Sequence, residues 1–132
     1  MTPLYLFLAG GLGACLRFVI DRVVERRVGR RTTSGIVVVN LLGSFILGLV
    51  TGWIHASAVA GAPYLHYLSA STMQMQLVLS VGFCGGFTTW STAMVDTVRL
   101  GRTGKPGLAA FHLLGTFSGA VLLLQLGYLF TA

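Results

Sequence analysis

Residues 82–92 of this 132-residue chain read GFCGGFTTWST, with two adjacent glycines, Gly85 and Gly86, followed by the hydroxyls of Thr88, Thr89, Ser91 and Thr92. Glycine weakens a helix, and a helix opened inside a membrane frees backbone carbonyls that hold cations. The hydroxyls add donors and acceptors just beyond. This is the chemistry of coordinating and passing an ion. Each hydroxyl has another use, because serine and threonine also back-bond to carbonyls of their own helix. Four of them beside a double glycine favour a polar track. A second polar group stands in VVVNLLGS, residues 37–44, where the Asn40 amide is surrounded by aliphatic residues. An unsatisfied amide is expensive in such a place, so Asn40 either bonds a neighbouring helix or faces a pore. Thr116 and Ser118 are weaker signals of the same kind, and Gln125 is open between an interhelix bond and a pore.

These groups need a scaffold, and the composition says which. The chain is 55% hydrophobic and only 9% charged, beyond the apolar content of ordinary soluble domains. Four continuous apolar runs, at about 3–20, 36–55, 77–98 and 108–130, approach the roughly 20 residues that a bilayer core requires of a helix. They lack the alternation of a barrel wall. The first lacks a charged leader and an A-x-A-like exit, so it reads as an anchor. The expected fold is all-α, one domain over 1–132 with four transmembrane helices and short connectors. The middle of the third run falls near Phe87, which puts Gly85, Gly86, Phe87 and Thr88 near the bilayer midplane. Non-helical backbone at that depth must be buried by protein or line a polar cavity. The third helix is therefore expected to break there and to hold an ion.

Charge sets the orientation. All nine Lys and Arg residues lie near or in the first and third connectors: Arg17, Arg22, Arg26, Arg27, Arg30 and Arg31, then Arg99, Arg102 and Lys105. The positive-inside rule places connectors 21–35 and 99–107 in the cytoplasm and both termini outside. A net charge of +6 would suggest nucleic acid in a soluble protein; here it tracks topology, and an RNA or headgroup role for RRVGRR is the rival reading. Cys15 and Cys84 fall in different runs with no CxxC, and His55, His66 and His112 are scattered, so disulfides, zinc and enzyme chemistry find no support and the histidines read as interfacial or packing residues. No Asp, Glu or Lys occupies the central part of any run, which favours passive conduction over proton-coupled transport. Glycines four apart at 48/52, 82/86 and 115/119 predict close helix packing within the chain or across a dimer. The two halves show no clear internal duplication.

GGLGACLRF at 10–18, VVVNLLGSFILG at 37–48 and GFCGGFTTWST at 82–92 together resemble the CrcB/Fluc fluoride channels, in order along the chain. The resemblance implies a bacterial cell-membrane protein, an antiparallel dimer with a structural sodium ion at its centre, and narrow fluoride pores that relieve fluoride toxicity. By motif, the Gly85 and Thr88 carbonyls would hold sodium, Asn40 would line a pore with Thr89, Ser91 and Thr92, and Arg17 would take a structural place at a vestibule. The family motif carries two phenylalanines three residues apart that meet fluoride edge-on, where a ring is electropositive. This sequence has Trp90 at the first position and Ala93 at the second, so one aromatic is lost. Combined with the one-sided charge, this predicts pairing with an oppositely oriented homologue. Two other readings fit less well. A small multidrug-type exporter would need an acid in the first run, and AGGLGACLR has none; a non-transporting assembly protein would not explain the glycine–hydroxyl motif.

Overall fold

The computed structural model describes residues 2–28, 34–60 and 70–132, with side chains over 2–28, 34–57 and 71–132. Arg30, Arg31 and His66 lie outside the described residues. The elements are α1 (Thr2–Val28), α2 (Ser34–Ala60), α3 (Ala70–Leu77) continuing as a π-helical stretch (Val78–Cys84), α4 (Gly85–Phe87), α5 (Trp90–Arg102) and α6 (Pro106–Thr131), with no strand among the described residues. Four stretches are long and apolar enough to cross a membrane: Thr2–Val28, Ser34–Ser57, Ser71–Arg102 and Pro106–Thr131. The protein is an all-α, multi-pass membrane protein.

The first helix runs further than its apolar run. It continues through the basic residues to Val28, because a helix need not stop where lipid does. Arg22 stacks over the Phe18 ring at 5.1 Å and pairs with Glu25 at 3.6 Å, while Arg26 and Arg27 sit in the last turn, where cations complement exposed carbonyls. At the other basic end, Lys105 N–H bonds to the Leu100 carbonyl and Gly104 N–H to that of Gly101. This double bond pattern closes α5, and it needs the positive φ of 77° that Gly104 supplies. Pro106 then opens α6 at a position where no N–H is required.

Two backbone-on-backbone seams hold the bundle. In the first, α2 and α6 run parallel, with Gly48 seated on the Leu124 carbonyl and Gly127 on the Phe45 carbonyl; a Cβ at either would overlap backbone. Thr131 reinforces this seam by donating to the Leu49 carbonyl at 2.9 Å. Thr131→Val should lower stability by about 1 kcal/mol, checked by unfolding titration in detergent. In the second, α1 crosses the third span. Gly86 rests on the Gly10 carbonyl and Gly13 on the Phe83 carbonyl.

That crossing corrects the reading of the twin glycine. Gly85 is helical, at φ −64° and ψ −38°, and α4 runs through Gly86 to Phe87. The chain leaves the helix two residues later, at Thr88 (φ −86°, ψ 158°) and Thr89 (φ −149°, ψ 109°). Gly86 therefore serves close approach and not unwinding, because α1 approaches to where a side chain would stand.

Candidate functional site

The interruption is held open by one side chain. Asn40, only 6% exposed, donates from Nδ2 to the Thr89 carbonyl at 3.0 Å and accepts from the Thr89 N–H at 2.8 Å. An amide is the right group because it presents one donor and one acceptor side by side, matching an extended residue's peptide groups. α5 then restarts with Thr89 as its N-cap, the Thr89 hydroxyl accepting from the Thr92 N–H at 3.3 Å and lying 3.0 Å from the Thr92 hydroxyl.

These bonds have a consequence upstream. In a continuous helix the Gly85 carbonyl would take the Thr89 N–H, and the Thr88 carbonyl would take the Thr92 N–H. Asn40 has captured the first donor and the Thr89 hydroxyl the second. Both carbonyls lose the partners that helix geometry would give them. The Thr88 side chain and N–H both turn back to the Cys84 carbonyl, each at 2.9 Å, so this hydroxyl does back-bond to its own helix.

A cavity of about 260 Å³ opens beside the interruption, lined by Asn40, Ser44, Ser80, Gly85, Thr88, Trp90 and Thr116 among others. The Ser80 hydroxyl is buried there without a hydrogen-bond partner among the described residues. Trp90 stands at the edge, half exposed, and meets Phe117 edge to face at 6.2 Å and 70°. A neighbouring cavity of about 430 Å³ reaches towards the α5–α6 turn and is lined by Ser34, Leu100, Phe111 and His112; Thr116 lines both.

The structure thus brings Asn40, Gly85, Thr88 and Trp90 to one cavity, with Thr89 and Thr92 bonded beside it. It does not bring Ser91, which is exposed, nor Ala93, which is 1% exposed and lines neither cavity. Arg17 is half-buried on α1 and lines neither cavity, with its Nε buried and without a hydrogen-bond partner among the described residues. Gly85 is exposed, with nothing within 4 Å of where a Cβ would stand, so this side of the interruption is open in the single chain. Ser44 and Ser80 are additions to the sequence reading. Their signal is four-residue spacing: Asn40 with Ser44, and Ser80 with Cys84 and Thr88, each stack on one helix face.

Residues 4–128 match the family model described as "CrcB-like protein, Camphor Resistance (CrcB)". The chain is similar to "Fluoride-specific ion channel FluC 2" of Cutibacterium acnes, 39% identical over 127 residues that cover 96% of this chain and 94% of the relative. It is also similar to "Fluoride-specific ion channel FluC" of Rhodopseudomonas palustris, 34% identical over 121 residues covering 92% and 89%. A third, "Fluoride-specific ion channel FluC 2" of Nitrobacter hamburgensis, is 32% identical over the same shares.

Proposed function

The chain belongs to the CrcB-like family, whose relatives are named as fluoride ion channels and not as enzymes, and on that premise we propose that it is a fluoride-selective passive channel exporting fluoride across the bacterial cell membrane. The observation that carries this is the Asn40-pinned interruption at Thr88–Thr89, opening on a polar cavity inside an otherwise apolar bundle.

The interruption has two ends of opposite polarity. The end of α4 presents carbonyls and attracts a cation; the start of α5 presents N–H groups and attracts an anion. Sodium is held, in this proposal, by the Gly85 and Thr88 carbonyls. The fit rests on their diverted hydrogen-bond donors and on the open face at Gly85. One chain offers too few oxygens to enclose an ion, so a second, antiparallel subunit supplies the rest and the site becomes the centre of a dimer. Fluoride must shed tightly held water and needs donors in exchange. The hydroxyls of Ser44 and Ser80, the Asn40 amide and the edge of Trp90 supply them along the cavity, while the Thr116 hydroxyl is already given to the His112 carbonyl.

The partner is an oppositely oriented homologue, and membrane lipid surrounds the pair. Arg26 and Arg27 end α1, and Arg99 and Arg102 end α5, so the basic ends fall on one side, taken as cytoplasmic, with both termini outside. Ala93 withholds the second aromatic from one pore, which the homologue's own residue would leave intact in the other. Purified chain in liposomes should release fluoride weakly alone and strongly when reconstituted with such a homologue, read with a fluoride electrode. Strong efflux from the chain alone would reject obligatory pairing, and none in either case would reject the channel. Single cysteines placed in the first connector should be labelled only from the cytoplasmic side in cells; labelling from both sides would remove the case for fixed orientation.

A further inference from the structure

His112 is a titratable side chain buried beside the path and used by nothing described so far. It is 7% exposed, and its Nε2 has no hydrogen-bond partner among the described residues. Its Nδ1 lies 3.1 Å from the Thr97 hydroxyl, which itself donates to the Ala93 carbonyl at 2.8 Å. A hydroxyl has one proton. With that proton committed to Ala93, Thr97 must accept, so Nδ1 carries the hydrogen and the neutral ring leaves Nε2 as a bare lone pair. The side chain is therefore fixed in one tautomer by its neighbour. Its free nitrogen becomes a donor only by taking up a proton.

The surroundings make that nitrogen consequential. His112 lines the second cavity, its Nε2 itself covered in the single chain, and Thr116, one turn along α6, lines both that cavity and the one at Asn40 and Trp90. The Thr116 hydroxyl is turned to the His112 carbonyl at 2.6 Å, so it ties the two positions together. A six-residue likeness, short of any duplication of the halves, adds to this: NLLGSF at 40–45 and HLLGTF at 112–117 share one pattern, with His112 at the place of Asn40. The two residues act alike. Asn40 grips the backbone of Thr89, and His112 grips the Thr97 hydroxyl, two turns further along α5. The difference is that histidine changes charge.

Among the described residues, no other titratable group lines this cavity. The helices packed on this part of α6 are α2 and α5. Residues 34–54 of α2 contain none, and on α5 Asp96 and Arg99 flank Thr97 in sequence but line neither cavity. On α6 itself Lys105 precedes the helix.

Taking the chain as an anion channel, we propose that His112 is a proton-dependent fluoride contact at the α5–α6 end of the path: neutral, it offers an anion a lone pair; protonated, it offers an Nε2–H donor and a positive charge. Fluoride then favours the protonated ring, and protonation favours fluoride, by the same factor.

Fluoride efflux from liposomes holding the chain, with its homologue where needed, should rise about tenfold between alkaline and acidic medium, protein-free vesicles being subtracted for passive loss of hydrogen fluoride. His112→Asn, which restores the residue found at position 40, should flatten that step. Thr97→Val, which frees the tautomer, should weaken it, and size exclusion checks that both variants stay folded. An independent measurement is the titration of ¹⁵N-histidine signals in detergent, with His112 identified by its loss in His112→Asn. Fluoride should move that titration to higher pH, and chloride should not. An unchanged pH step in His112→Asn, or a His112 titration indifferent to fluoride, overturns the proposal. Absence of efflux at every pH together with a fluoride-shifted titration would reject the channel reading and leave the fluoride site standing.

Discussion

Asn40→Ala should all but abolish fluoride efflux while leaving a recognisable bundle. The substitution strips Thr89 of the partners of both its peptide groups. Leaving a buried polar group unsatisfied costs about 1–3 kcal/mol, yet interhelical hydrogen bonds in membranes average nearer 0.6 kcal/mol. The polar cavity beside Thr89 lets water take over part of the load. A stability loss of about 1–3 kcal/mol follows, small enough that the backbone seams keep the helices together. Function has no such buffer. Without Asn40 the Thr89 N–H is free to return to the Gly85 carbonyl, the helix can close over the interruption, and the Gly85 oxygen proposed above for sodium becomes occupied. Asn40→Asp separates the two effects: it keeps the acceptor for the Thr89 N–H, loses the donor to the Thr89 carbonyl and adds a negative charge against an anion. It should be folded and inactive. Efflux from Asn40→Ala within twofold of the unmodified protein would mean that the interruption is not what conducts.

The second large effect separates neighbouring glycines. Gly86→Ala drives a methyl into the Gly10 carbonyl, and no rotamer relieves a clash between two backbones. Overpacking of this kind costs about 3 kcal/mol or more, and α1 would have to move off the third span. The variant should fail to yield folded protein. Gly85→Ala meets open space, in a helical conformation where alanine is preferred to glycine by about 1 kcal/mol. The single chain should therefore fold at least as well as before. If a partner subunit and a sodium ion sit on that face, the methyl falls between them, and size exclusion of the chain purified with its homologue should show separate subunits if the unmodified pair runs together. A Gly85→Ala protein that remains dimeric and conducts would show that the open face is not where subunits meet.

The contrast between these glycines also marks what the chain disclosed before folding and what it did not. The four spans were legible because lipid sorts residues bluntly: apolar runs of the right length, with charges between them, admit few other arrangements. The region of the site was legible too, since hydroxyls and an amide stand out against such runs. Its exact geometry was not. Two adjacent glycines point to an unwound stretch at 85–86, but unwinding occurs at Thr88–Thr89 because Asn40, 49 residues away, outcompetes the helix for Thr89. A pairing over that separation leaves no local trace. Likewise Ala93 sits where an aromatic would be expected to meet an ion, and is instead covered by the packing of its own chain. His112, one histidine among three scattered ones, gains significance only once Thr97 and a shared cavity wall are placed against it.

Helices that touch main chain to main chain, at Gly48, Gly86 and Gly127, have no slack for gradual retuning by larger or smaller side chains. Mutational drift in this protein is channelled elsewhere: to lipid-facing positions, where substitution is nearly free, and to the few residues around Thr88 and Thr89, where, on the function proposed above, one change alters what passes. Directed evolution for altered ion preference should therefore yield its gains from small libraries at those positions, and random mutagenesis of the helix crossings should return mostly dead clones.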